Sequence, residues 1–341
     1  MRRRGASLML LPLLALAGCG GIQTIGGREG REAALIDDLF TLFCIVTGLF
    51  FAAVMAFLFA AYWRRGGHRA DRMPDEGATA PRDRGLRIAL FAWTAAVIGG
   101  LMGLAVASFL TDRSLAYSTA AGRPVVSIEL IGNQWWWEAR YHFPDPSQNF
   151  RTANEIHLPT GSAAMITLKA NDVIHSFWVP NLAGKQDLIP GRVTDIVLTP
   201  TKVGRYRAQC AEYCGLQHAH MALDVTVDTP ADYARWLAAQ TRPAAAPTTP
   251  QAIAGYRFFM TRQCSACHAV AGTPAGAGVG PDLTHLMSRR TIAAGTLPNG
   301  TGPLHAWIAD PQGVKPGANM PYIGLDADEL HNVVAYLETL K

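Results

Sequence analysis

Two long stretches without a charged residue limit what this chain can fold into more than any other feature. Leu39 to Trp63 is twenty-five residues and Ile88 to Leu110 is twenty-three. At 1.5 Å per residue either run crosses a hydrocarbon core of about 30 Å as a helix, and a helix satisfies its own backbone polar groups where lipid offers no partners. A transmembrane hairpin spanning 35–111, with helices over about 39–63 and 88–110, is the expected result. The loop between them holds Arg64, Arg65, Arg69, Arg72, Arg82, Arg84 and Arg87 against four acids. The positive-inside rule places that loop in the cytoplasm, so both ends of the hairpin face outward. The net charge of +4 comes partly from this loop, and it gives no reason to expect a nucleic-acid partner.

Ahead of the hairpin, Arg2, Arg3 and Arg4, an apolar run and then Leu16, Ala17, Gly18 and Cys19 read as a secretory signal over 1–19. Its ending resembles a bacterial lipobox, in which the thiol of Cys19 would carry lipid. An ordinary signal peptide or an uncleaved leader helix is the alternative. Cys44 lies within the first apolar run and is expected to be a small buried hydrophobe.

With 341 residues the chain exceeds one ordinary domain. Beyond the hairpin the pattern becomes β-type: Val126, Ile128, Leu130; Ile166, Leu168; Ile196, Leu198; Leu223, Val225, Val227. A Greek-key sandwich over 112–241 is the natural reading, ending in a short helix at 230–241. The Pro/Ala-rich stretch 242–250 reads as a linker reaching roughly 30 Å if extended. Residues 251–341 are expected to form a separate C-terminal domain.

Two cysteine clusters carry the chemistry. The first is CAEYCGLQHAHM, with Cys210, Glu212, Cys214, His218 and Met221, and His175 lies 35 residues upstream of Cys210. A disulfide or a zinc site could use the cysteines and histidines. A thioether is a poor zinc ligand and hard ions want oxygen, so two thiols, two imidazoles and a thioether favour copper. The second is CSACH, with Cys264, Cys267 and His268, the CxxCH pattern of covalent c-type haem attachment. Met320, in GANMP, lies 52 residues beyond His268, and Met260 and Met287 compete with it as a sixth ligand. His285 and His305 are expected to be surface or propionate-side residues.

The first cluster resembles the binuclear copper A loop of cytochrome c oxidase subunit II, over roughly 35–240, and residues 251–341 resemble a class I cytochrome c. The resemblance implies a cupredoxin fold, an all-α cytochrome domain and the electron-accepting subunit of a caa-type haem-copper oxidase in a bacterial cytoplasmic membrane. It implies that Cys210 and Cys214 bridge two coppers and that His175 and His218 cap them. Met221 is then a weak axial ligand. Glu212 offers its carbonyl, with its side chain toward a magnesium shared with subunit I. In the cytochrome, Cys264 and Cys267 hold haem c between His268 and Met320, a pairing that raises the potential. Pro281 orients His268. Trp135, the first indole of QWWWE, lies over the copper where electrons arrive; packing is its alternative role. Asp187 and Arg192 match a segment near subunit I, and otherwise form a surface ion pair. Leu90 stands where many relatives place a proton-collecting carboxylate, so Asp83 or a partner residue must serve, or uptake differs. Implied partners are subunit I, other oxidase subunits and an external donor such as a c-type cytochrome. A nitrous oxide reductase would need a large additional propeller domain, and a copper-delivery protein would not need covalent haem.

Overall fold

The computed structural model describes residues 20–65, 80–120 and 126–341. The signal and lipobox reading, including Cys19, lies outside the described residues. Two units emerge, Leu35–Ala120 and the remainder of the chain.

The first unit holds helix α1 (Arg31–Arg65) from Leu35 onward and helix α2 (Ala80–Ala120). Both are long and apolar enough to cross a membrane, and both exceed the charge-free runs. Arg113, Leu115, Ala116 and Ala120 have good helix propensity, and no glycine or proline interrupts Asp112–Ala120. The first residues of the stretch 112–241 are therefore helical and belong to the hairpin unit. Phe51, Trp63, Phe91 and Leu101 are all more than 60% exposed. So much uncovered apolar surface is incompatible with water and suited to lipid. Cys44 is exposed on α1, where burial was expected; a helix with only one neighbour leaves most of its circumference free. Phe50 packs edge-on against Trp93 at 5.3 Å.

The second unit opens with a β-sandwich of ten strands: β1 (Val126–Asn133), β2 (Trp136–His142), β3 (Phe150–Ala153), β4 (Glu155–Pro159), β5 (Ala164–Ala170), β6 (His175–Trp178), β7 (Gln186–Leu188), β8 (Thr194–Leu198), β9 (Gly204–Cys210) and β10 (Ala222–Asp228). One sheet runs β3-β2-β1-β5-β8, the other β4-β10-β9-β6-β7. Their inner faces bury the alternating residues: Ile128, Leu130, Ile166, Leu168, Leu223 and Val225 are at most 1% exposed. Period-two burial fixes register, because a one-residue slip would turn these side chains outward. Helix α3 (Pro230–Gln240) closes the domain, capped by the Thr229 hydroxyl and started by proline.

Helices α4 (Pro250–Thr261), α5 (Cys264–Cys267), a hairpin of β11 (Thr291–Ile292) and β12 (Leu297–Pro298), α6 (Thr301–Ala309), α7 (Pro311–Val314) and α8 (Ala327–Leu337) complete the unit. Thr249 caps α4, and Asp326 and Glu329 form a capping box on α8. Phe259 on α4 meets Tyr336 on α8 edge-on at 5.5 Å within a second apolar core.

Candidate redox centres

The loop joining β9 to β10 is shaped by its own backbone. Cys210 N–H donates to the Met221 carbonyl at 2.9 Å, which closes residues 211–220 into a protrusion, and Ala211 N–H ties it to Ser176 on β6. Cys210, Cys214, His175 and Met221 are all at most 2% exposed, while His218 is half-buried. This folding converges the donor atoms. The Cys210 and Cys214 sulfurs are 3.7 Å apart, well beyond the roughly 2.05 Å of a disulfide. His175 Nδ1 lies 3.9 Å from the Cys210 sulfur. His218 Nδ1 and Met221 Sδ lie 3.6 and 3.8 Å from the Cys214 sulfur. The Glu212 carbonyl sits 3.2 Å from the Cys210 sulfur. Two thiols, two imidazoles and a thioether, with one carbonyl oxygen beside them, fit copper, and the cluster His175, Cys210, Cys214 is close enough to share one ion.

The electrostatics favour metal at this place. Contact with Cys214 holds the Cys210 thiol well below its ordinary range, and the same contact pushes Cys214 up. Two thiols so close cannot readily both ionise without a cation between them.

Two residues that sequence reasoning passed over position His175. Asp172 Oδ1 lies 2.8 Å from His175 Nε2, leaving Nδ1 to face the sulfurs, as a carboxylate behind a metal-ligating histidine does. Burial opposes the carboxylate charge, yet hydrogen bonds from His175, Val173 N–H and Gln134 N–H bring the Asp172 pKa below its usual value. Burial likewise opposes His175 protonation, but Asp172 and Cys210 raise its pKa on balance. Gly132 backs the ring: a Cβ there would lie 2.7 Å from His175 Cδ2. Gly132→Ala is accordingly expected to displace His175 and lower copper affinity by about 10- to 100-fold, the range for disturbed outer partners, while haem content stays unchanged. Copper and iron counts on the same preparation measure this. An aspartate three residues before a histidine was the available signal for Asp172; Gly132 had none.

Trp135 is 9% exposed, and its indole N–H donates to the Cys214 carbonyl at 2.9 Å, beside a second donation from Gln134 Nε2 at 2.7 Å. Trp137 is the fully buried core indole of the three. The Glu212 carboxylate is partly exposed, with Lys185 3.9 Å away. Asp187 pairs with Lys185 at 3.5 Å, so the alternative role read for Asp187 and Arg192, a surface ion pair with each other, is taken for Asp187 by the lysine two residues away. Leu90 is exposed on α2, and the side chain of Asp83 lies outside the described residues.

The second centre surrounds a cavity of about 390 Å³ lined by Cys264, Cys267, His268, Met320, Leu283 and Trp307. Its chemistry fits haem: largely apolar walls, two thiols and an imidazole. His268 Nδ1–H donates to the Pro281 carbonyl at 2.8 Å, leaving Nε2 as the ligand atom. Burial pulls the His268 pKa down, favouring the neutral imidazole that binds metal. Met260 and Met287 pack against the domain core instead of lining the cavity. His285 departs from expectation. It is 6% exposed, with its ring nitrogens 2.8 Å from the Lys341 carbonyl and 3.1 Å from that of Arg242, so it fastens the chain end and not a propionate. His305 is half-buried beside His331.

Residues 146–228 match the family described as cytochrome c oxidase subunit II, periplasmic domain, and residues 252–341 match cytochrome c. The chain is 33% identical over 339 residues to cytochrome c oxidase subunit 2 of Alkalihalophilus pseudofirmus, covering 96% of this chain and 94% of that one. It is 28% identical to the same subunit of Bacillus subtilis, covering 98% and 96%. Among solved structures, the periplasmic domain of subunit II of cytochrome oxidase from Bradyrhizobium japonicum matches at 28% identity with a TM-score of 0.33, covering 35% of this chain and 95% of that one.

Proposed function

The chain belongs to the cytochrome c oxidase subunit II family, with a cytochrome c domain fused after the periplasmic domain, and from that membership we propose how it receives and delivers electrons. It takes electrons from an external donor such as a c-type cytochrome on its haem domain. It passes them through its copper domain to haem in subunit I, where oxygen is reduced to water with proton translocation. When bound, haem c and the copper A pair supply two one-electron redox sites. Cys264 and Cys267 would tether the haem covalently, and His268 and Met320 would hold its iron. Cys210, Cys214, His175, His218, Met221 and the Glu212 carbonyl would hold the copper pair. The Glu212 carboxylate would serve a magnesium shared with subunit I. The hairpin anchors the chain in a bacterial cytoplasmic membrane with both redox domains on the periplasmic side. A leucine cannot collect protons, so Leu90 leaves proton uptake to other groups.

One observation carries this reading. Trp135 lines the cavity of the second centre and also donates its indole hydrogen to the Cys214 carbonyl of the first. A single side chain therefore touches both sites and supplies a short, rigid connection between them.

The test is an optical and paramagnetic resonance spectrum of the purified oxidase, with copper and iron counted per chain. Two coppers in a mixed-valence signature and one low-spin covalent haem are expected. One copper, or haem without copper, would move the chain to a carrier or metal-delivery role.

A further inference from the structure

Lys315 is a lysine 3% exposed and close to no carboxylate in its hydrogen bonds. Its ammonium donates to three main-chain carbonyls: Trp135 at 2.8 Å, His220 at 2.8 Å and Ala293 at 3.0 Å. An ammonium has three hydrogens and no acceptor, so this site is saturated and leaves nothing for a haem propionate or a docking acid. The carbonyls come from three places. Trp135 is in the turn between β1 and β2, His220 lies between copper-loop residues His218 and Met221, and Ala293 is in the β11–β12 hairpin of the cytochrome region.

We propose that Lys315 is a positioning residue that clamps the cytochrome region onto the copper loop, so that the fused haem works as a docked donor and does not swing on its linker. This rests on the reading that the two clusters hold haem and copper. Lys315 opens the segment that ends at Met320, so the same few residues carry the clamp and the haem ligand. Neighbouring bonds cross the same boundary. Gln217 Nε2 donates to the Pro316 carbonyl at 2.8 Å, Ala222 N–H to the Ala294 carbonyl at 3.0 Å, and the Thr291 hydroxyl to Asp224 at 2.7 Å. Ala293 and Ala294 both have left-handed backbones, with φ of 52° and 57°. Such conformations persist in alanine only where the surroundings hold them. The linker is also engaged: Ala244 N–H donates to the Ala271 carbonyl, and the Arg242 carbonyl faces His285. Burial pulls the Lys315 pKa down to about 7, a cost of desolvation that three converging carbonyls offset only while the domains stay together.

The experiment uses the assembled oxidase with Lys315→Met and Lys315→Arg. Spectra and metal counts first establish that both centres are loaded, which tests the underlying reading separately. Hydrogen exchange is then followed at the Ala222 amide, together with the rate of haem-to-copper electron transfer in a single turnover. With both centres spectrally unchanged, the methionine variant is expected to lose Ala222 protection at least 10-fold and to transfer electrons at least 10-fold more slowly. The arginine variant, which keeps the charge but not the convergent geometry, should fall between it and the wild type. Wild-type protection and transfer in a fully loaded methionine variant would overturn the clamp. So would a changed copper spectrum with protection intact, since Lys315 would then act on the copper loop alone. If the methionine variant fails to load either centre, the arginine variant is decided by the same two readings: intermediate values support the clamp and wild-type values overturn it.

Discussion

Cys214→Ser is expected to abolish the mixed-valence copper signal while leaving the haem spectrum and iron content unchanged. Cys214 is the hub of the first cluster. Its sulfur lies 3.7 Å from the Cys210 sulfur, 3.6 Å from His218 Nδ1 and 3.8 Å from Met221 Sδ. A serine oxygen fits the space, but it is a hard and weakly acidic donor, so it cannot serve as a soft bridging thiolate. Disturbing an outer partner already costs 10- to 100-fold in metal affinity, so losing the shared ligand should cost more than about 100-fold. The backbone should survive, because the carbonyl that holds Trp135 and Gln134 belongs to the main chain at position 214. Copper per chain, counted beside the haem absorbance, measures the effect; full copper occupancy in this variant would remove Cys214 from the site.

Cys264→Ala gives the second large effect, on the other centre. Losing one thioether leaves haem held by Cys267 and its axial ligands, so covalent haem should fall by at least several-fold and part of the population should lack it. The consequence for stability follows from the cavity. Leaving this largely apolar cavity of about 390 Å³ without its occupant removes the packing partner of its walls and exposes them to water. Haem-free molecules should lose hydrogen-exchange protection across α4 and α8, whose contact is the core of that domain. The sandwich, with its own core, should keep its copper and its protection, except at Ala222, whose amide donates to the Ala294 carbonyl. Equal loss of copper and haem in Cys264→Ala would show that the two sites are not independently held.

The parts of this protein that were legible in its sequence are those where one residue type admits few environments. Two charge-free runs of helical length had to be membrane-like, and period-two alternation at Ile128, Leu130, Ile166 and Leu168 had to line a sheet interior. The soft-donor run from Cys210 to Met221 and the CSACH run announce their chemistry through residue types gathered in one loop and one helical turn, while His175 and Met320 come to them from elsewhere in the chain. Positions such as Cys44 and His285 were misjudged because their surroundings come from elsewhere in the chain: an uncovered helix face in one case, and the carbonyls of Arg242 and Lys341 in the other.

What only the tertiary structure decided is how distant segments meet. Gly132 against the His175 ring, and Lys315 reaching Trp135 and His220 across 180 and 95 residues, carry no local signature. A glycine and a lysine are compatible with almost any loop. The ligands are chosen by the chemistry of single side chains, which sequence displays. Their orientation depends on close approach and hydrogen bonds between strands and loops far apart in the chain, and those contacts exist only once both cores have formed.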